Sequence, residues 1–316
     1  MTDTVKVIRK LGRGARPTSL RLSTTHEGYV DARNFNLPTS APTERIATPA
    51  GNLEIDRDFA VFRGLRLRKI DLSGSRIAHS LWLNCRLEDV KLDRADARLV
   101  AFSGGRLDKV SFRQTDLSGS AWGMTGRSGP VVSDCVFVES NMAQSAYGHL
   151  LFRNCVFDTL LERLMYEGAR FEDCTFAGTL KYIWFDQTTG DPRPSEASKL
   201  TSMSNVDFSR ARMVAVSFKG VDLSSVTLPA TGHVVINRPR AVFENALRRV
   251  SAEWVGDNRD EAKAFLETQL AYQVRIPDTT FVFHPHDFLE MSLSPQVAER
   301  LIQELESAAK ELHSGG

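Results

Sequence analysis

Two histidines one residue apart, in the run His284-Pro285-His286-Asp287, are the densest group of metal-ligand types in the chain. On an extended backbone both imidazoles would share a face, and Asp287 or Glu290 could add an oxygen of the kind zinc accepts. No third ligand at a clear spacing completes that set, so His284 and His286 are expected to be surface or cap residues and no metal is assigned. Four cysteines, Cys85, Cys135, Cys155 and Cys174, contain no CxxC pair. The segment Leu11-Gly12-Arg13-Gly14 lacks the further glycine and the downstream signatures of a nucleotide loop. There is no P-loop, no GxSxG and no grouping of serine, histidine and aspartate. The expectation is a protein without catalytic residues or a cofactor.

The elements that would position any site are visible in a repeat. From Phe62, a step of five lands on Leu67, Leu72, Ile77, Trp82, Leu87, Leu92, Ala97, Phe102, Leu107, Phe112, Leu117 and Trp122, all apolar. Positions two before each of these are mostly small or aliphatic, and the charges lie between. Period five fits neither a helix nor an alternating strand. A chain that turns inward twice in five residues must bend after each short segment, and Gly64, Gly74, Gly104 and Gly119 fall two after a centre, where bends are needed. Each cysteine sits two before a centre, the place of a small inward residue, and is expected to be a buried free thiol.

The blocks Asp71-Leu72-Ser73-Gly74-Ser75 and Asp116-Leu117-Ser118-Gly119-Ser120 are identical. Here the chain resembles the pentapeptide-repeat family. That resemblance implies a right-handed quadrilateral β-helix with four pentapeptides per coil, a mainly β solenoid with a vertical period of about 20 residues. The period groups Phe62, Trp82, Phe102 and Trp122 into one column. Phe137, Tyr147, Phe152 and Phe157 resume the register, and a one-residue deletion then sets Tyr166, Phe171 and Phe176 over the last three; Phe208 and Phe218 belong to a last block. These thirteen aromatics are the expected structural core.

Residues 58–228 are assigned to the β-helix, with loops at 123–131 and 184–202. Loops on a rigid scaffold commonly carry binding, so Met124, Arg127, Trp184, Phe185 and Arg193 are candidate interaction residues. Residues 1–57 show no repeat and are expected to be a partly extended cap. Residues 1–21 within them carry six basic side chains against Asp3 and read as a flexible basic arm. Residues 229–316 read as a C-terminal α-rich module that caps the coil, binds a partner or makes a homodimer. Helices are expected over 241–254, 260–273 and from Ser294-Pro295 onward, with a strand at 279–284.

The 316 residues are 42% hydrophobic and 25% charged, which excludes disordered and collagen-like chains. No signal-peptide core and no membrane-length apolar run is present, so a cytoplasmic protein is expected. The net charge of +1 conceals a polarity: residues 61–122 carry 12 Lys+Arg and 7 Asp+Glu, 131–182 carry 4 and 7, and 229–316 carry 9 and 13. The family resemblance implies a DNA-mimicking protector of gyrase or topoisomerase IV as one function. Mimicry needs a continuous negative face, which the basic first coils deny. The leading expectation is therefore a non-enzymatic scaffold that binds a protein partner. A topoisomerase-binding protector is the first alternative, and a nucleic-acid or anionic-surface binder using the basic first coils is the second.

Overall fold

A computed structural model describes residues 4–37, 45–48, 51–54, 60–123, 129–186, 201–219, 221–230, 233–275, 280–283, 288 and 293–314. Its centre is a parallel β-helix. Ala60–Arg63 pairs in parallel with Ser80–Leu83, setting Phe62 on Trp82, and Arg66–Asp71 pairs with Arg86–Lys91, setting Leu67 on Leu87. One turn is thus twenty residues, four steps of five. We number the four faces by their first inward centres: Phe62, Leu67, Leu72 and Ile77. The strands sort into one sheet of ten and one of thirteen.

The bends have a backbone cause. Two places after each centre the chain enters the left-handed region: Asn84 (φ 51°) and Gly104 (63°) on the first face, Lys69 (50°) and Asp89 (57°) on the second. Gly74 (68°) and Arg94 (56°) follow on the third, His79 (55°) and Leu99 (56°) on the fourth. Glycine takes this conformation at little cost and Asn or Asp with a small one, which explains the recurrence of these types at corners.

The interior is a set of aromatic stacks. On the first face, ring centroids are 4.4 Å apart for Phe62–Trp82 and 4.6 Å for Phe102–Trp122, then 4.5 Å for Tyr147–Tyr166 and 5.2 Å for both Tyr166–Phe185 and Phe185–Phe218. On the third face Phe112, Phe137, Phe157, Phe176 and Phe208 stack at 4.6–4.9 Å. Such pairs add about 0.5–1.5 kcal/mol each to the area they bury. Phe152 and Phe171 stack on the second face at 5.3 Å. The tryptophans need an acceptor for their indole N–H, and the inward serine two places earlier provides it: Trp82 donates to Ser80 Oγ at 2.8 Å and Trp122 to Ser120 Oγ at 2.7 Å.

The first coil begins earlier than residue 58. Val30 and Asp31 pair in parallel with Ile70 and Asp71, and the N–H groups of Ala32 and Leu37 donate to Asp71 and Arg76. The chain then leaves the coil, forms the hairpin Arg45–Thr48/Gly51–Glu54, and re-enters at Ala60. The segment read as a flexible basic arm contains helix α1, Thr4–Gly12. It buries Val7, Ile8 and Leu11 against the coil, and Arg9 Nη2 donates to the Val61 carbonyl at 3.0 Å. A β-carbon on Gly12 would lie 2.8 Å from Leu65 Cβ, so the helix seats directly on the coil.

At the other end, strand Thr280–Phe283 runs antiparallel to Arg212–Lys219, and Val234–Ile236 pairs with it. This reversal ends the parallel stack. Helices α2 (Pro239–Glu253) and α3 (Gly256–Arg275) and the C-terminal helix Pro295–Ser314 enclose a separate core around Phe243, Trp254, Leu266 and Leu301. Arg249 ties α2 to the last helix through Glu304 and Glu311, both at 2.9 Å. No described helix is long and apolar enough to cross a membrane.

Two substitutions test this account. A β-carbon on Gly105 (φ 80°) would sit 2.1 Å from the Cys85 carbonyl oxygen of the coil below. Gly105→Ala is expected to destabilise the protein by about 3 kcal/mol in urea unfolding. Ser80→Ala removes the partner of a buried indole N–H and is expected to cost about 1–3 kcal/mol. Losses within about 0.5 kcal/mol of zero, the usual scale of surface changes, would show that coil spacing and serine pairing do not constrain the fold.

Candidate interaction surface

Residues just before and after each centre point outward. Because coils stack in register, each outward position repeats as a column, and the columns differ in chemistry. On the second face Arg66, Arg86 and Arg106 lie side by side. Beside them Arg68 pairs with Glu88 at 3.1 Å and Arg106 with Asp108 at 3.1 Å. On the fourth face Arg76, Asp96, Asp116 and Asn141 are bridged in sequence. Arg98 holds Asp96 at 2.9 Å and Asp116 at 3.8 Å. The Arg98 hydrogen bond keeps the Asp96 carboxyl below the usual carboxylate range, against a partial offset from burial.

The first face is different. Val61, Leu81, Ala101, Ala121 and Ala146 succeed one another in its outward column, followed by Met165, Trp184 and Ser217. That column carries no charge over eight coils. At its start Val61 and Leu81 are 6% and 3% exposed. At its other end Met165 and Trp184 are direct cross-strand neighbours, 50% and 38% exposed. At the adjoining corner, Arg163 and Lys181 lie over the Tyr182 ring at 5.9 and 5.4 Å.

Trp184 and Phe185 are therefore strand residues of Thr179–Asp186, not loop residues. Phe185 is wholly buried between Tyr166 and Phe218, whereas Trp184, one position earlier, faces out. The coil goes on here because the chain takes a four-residue step, Phe176 to Leu180, and then resumes with Phe185. Met124, Arg127 and Arg193 lie outside the described residues, as do His284 and His286. Among the described residues no group of three or more His, Cys, Asp or Glu is placed to hold a metal.

Phe62, Trp82, Phe102, Trp122, Phe137, Tyr147, Phe152, Phe157, Tyr166, Phe171, Phe176, Phe208 and Phe218 are all buried inside the coil. All four cysteines are buried and unbridged. Burial pushes the Cys85 thiol up to about 11, and the thiols of Cys155 and Cys174 are raised by hydrogen bonds to the neighbouring cysteine together with burial. None of these three is a thiolate nucleophile near neutral pH. Met165 escaped the sequence reading. Its signal was present, since the position before each first-face centre never carries a charge.

Four five-residue steps per turn, paired in parallel and in register, define the class: the chain is a pentapeptide-repeat β-helix with an α-rich C-terminal part. No family model and no curated protein matches it. Solved structures similar to it include HetL, a pentapeptide repeat protein involved in heterocyst differentiation regulation from the cyanobacterium Nostoc. That match has 14% identity over 63% of this chain and 90% of the other, with a TM-score of 0.27. QnrB1, a plasmid-mediated fluoroquinolone resistance protein, matches at 13% identity over 72% of this chain and 100% of the other, with a TM-score of 0.23. A pentapeptide repeat protein from the cyanobacterium Cyanothece, Rfr23, matches at 11% identity over 63% and 87%, with a TM-score of 0.14.

The Asp96–Arg98 pair yields a pH prediction. A carboxyl depressed in the folded state contributes stability that is full above its unfolded pKa, near 4, and is lost as pH falls through the lowered folded value. Arg98→Ala is expected to return the folded carboxyl toward its unfolded pKa, so that the variant lacks this contribution at pH 6 and its loss of stability on acidification is smaller. Urea midpoints measured from pH 2 to 6 would read the shift, and superimposable profiles would refute the coupling.

Proposed function

We propose that this protein is a non-enzymatic scaffold whose first coil face docks a protein partner, with Met165 and Trp184 as its anchor. The observation that supports this is the pair itself: two large apolar side chains, cross-strand neighbours, exposed at the end of an uncharged column. Large side chains that can be desolvated together, tryptophan above all, dominate the energetics of protein interfaces. The small residues Ala101, Ala121 and Ala146 leave the remainder of the face flat enough for close approach. The rigid aromatic stack behind the face means that docking orders little of the scaffold. We place the protein in the cytoplasm, where four unbridged thiols are in keeping with the redox state.

A photoreactive residue placed at position 184 is expected to crosslink a defined partner in cells, while one at Arg113, on the third face, is expected not to. The double variant Met165→Ala with Trp184→Ala is expected to weaken that partner's binding by about 100-fold, with thermal unfolding little changed. Equal crosslinking from both positions, or a double variant that binds like the wild type, would remove the first face from consideration.

The topoisomerase-protector reading requires an unbroken acidic strip, and the Arg66–Arg86–Arg106 column runs against it. In a gyrase supercoiling assay with a quinolone, excess protein is expected to leave inhibition unchanged. Restored supercoiling would replace the present reading with that one.

A further inference from the structure

The second face of the first three coils is cationic. Arg66, Arg86 and Arg106 are direct neighbours on adjacent parallel strands, and all three are exposed. Arg63 flanks them across the Gly64 bend, and Lys69 and Lys109 stand at the bend on the other side. The three carboxylates of this surface are already engaged: Glu88 with Arg68, Asp108 with Arg106, and Asp89 as acceptor of the Tyr29 hydroxyl. Arg63, Arg66, Lys69, Arg86 and Lys109, all exposed, have no ion pair or side-chain hydrogen bond among the described residues. The fourth face is unlike this one, because there Arg98 spans two aspartates.

Like charges side by side on neighbouring strands destabilise a sheet. Five unmatched cations on a wall that cannot rearrange set up a standing positive field, which an anion of matching length relieves. Coils repeat at about 4.8 Å, so three of them span roughly 10 Å. Over that length a nucleic-acid duplex, with one charge per about 1.7 Å of axis, presents about six phosphates. An extended peptide acidic at every residue presents only about three carboxylates, at about 3.3 Å per residue. The outward positions of the wall are Arg66, Arg68, Arg86, Glu88, Arg106 and Asp108, with no aromatic ring on which an unpaired base could stack.

We propose that this wall binds the phosphate backbone of a nucleic-acid duplex without reading its bases. Guanidinium groups form their strongest hydrogen bonds to phosphate oxygens, and such contacts position a duplex while carrying no sequence information. The site lies on a different face from Met165 and Trp184 and does not depend on the docking reading made for that pair.

Fluorescence anisotropy of the full chain with a short labelled DNA duplex, over a salt series, tests the proposal. Binding is expected to weaken with salt at a log–log slope of about −4.5, the value for five neutralised phosphates. An RNA duplex of the same length is expected to bind within about threefold, and single-stranded DNA and polyglutamate at least about tenfold more weakly. The double variant Arg66→Gln with Arg86→Gln is expected to flatten the slope by about 2 and to keep the wild-type melting temperature, since both side chains are exposed and unpaired. Arg210→Gln with Arg240→Gln removes the same charge far from the wall and is expected to leave the isotherm unchanged. Absence of binding at low salt and about 0.1 mM protein, or equal losses in the two double variants, overturns the site. Single-stranded DNA or polyglutamate binding as tightly as the duplex overturns the ligand class, and discrimination between DNA and RNA duplexes beyond about tenfold overturns backbone-only recognition.

Discussion

Parallel stacking of one coil on the next at the spacing of a β-ladder, about 4.8 Å, is the constraint from which the remaining features follow. It requires every coil to place its corners over those below, which a five-residue step achieves by giving each position one task. The centre and the residue two before it point inward, the residue two after takes the left-handed turn, and those flanking the centre face out. Phe62, Ala60, Gly64, Val61 and Arg63 show all five tasks in one step. Exact superposition also brings backbone close to backbone, which is why a residue such as Gly105 has no room for a side chain.

A ladder of this kind cannot end itself, since each terminal coil leaves N–H and C=O groups unpaired. The two ends solve this differently. At the first, residues 30–37 supply pairing for part of the coil and α1 lays an apolar face across the exposed interior. At the other, the strand at Thr280–Phe283 reverses direction, which breaks the register that another coil would need. The three helices then shield that strand pair with their own core.

What could be read from the sequence follows the same logic. The columns were legible because stacking repeats inward residue types at fixed intervals, and one deletion after Phe157 could be followed through the like pairs Tyr147–Tyr166 and Phe152–Phe171. The second four-residue step, Phe176 to Leu180, was hidden, because counting five from Phe176 lands on Lys181 and the repeat looks finished. That misplacement made Trp184 and Phe185 into loop residues, whereas opposite sides of one strand hold them. Helix α1 was hidden for another reason. Nine residues with three valines or isoleucines are a weak helix former, and its stability comes from the coil it covers. Residues 30–37 contribute only two centres, Ala32 and Leu37, each with an inward residue two before it, Val30 and Phe35, too few for a period to show.

The interior code uses two of every five positions and is indifferent to the chemistry of the outward ones, so the fold by itself specifies no function. It does shape what function can be. A residue type favoured once per turn becomes a stripe along the rod, and a stripe is a surface with one chemistry over tens of ångströms. Charged columns of this protein are largely occupied with each other, as Arg98 is with Asp96 and Asp116, and Arg68 with Glu88. The uncharged column is covered at its start, where Val61 and Leu81 are buried together, and has no such internal use at its far end. Its alanines make no ion pairs, and its two largest side chains stand exposed where smaller ones would satisfy the coil equally well. A stack this rigid gains little packing from a tryptophan partly in solvent on its outer wall, and the proposed docking through Met165 and Trp184 rests on that observation.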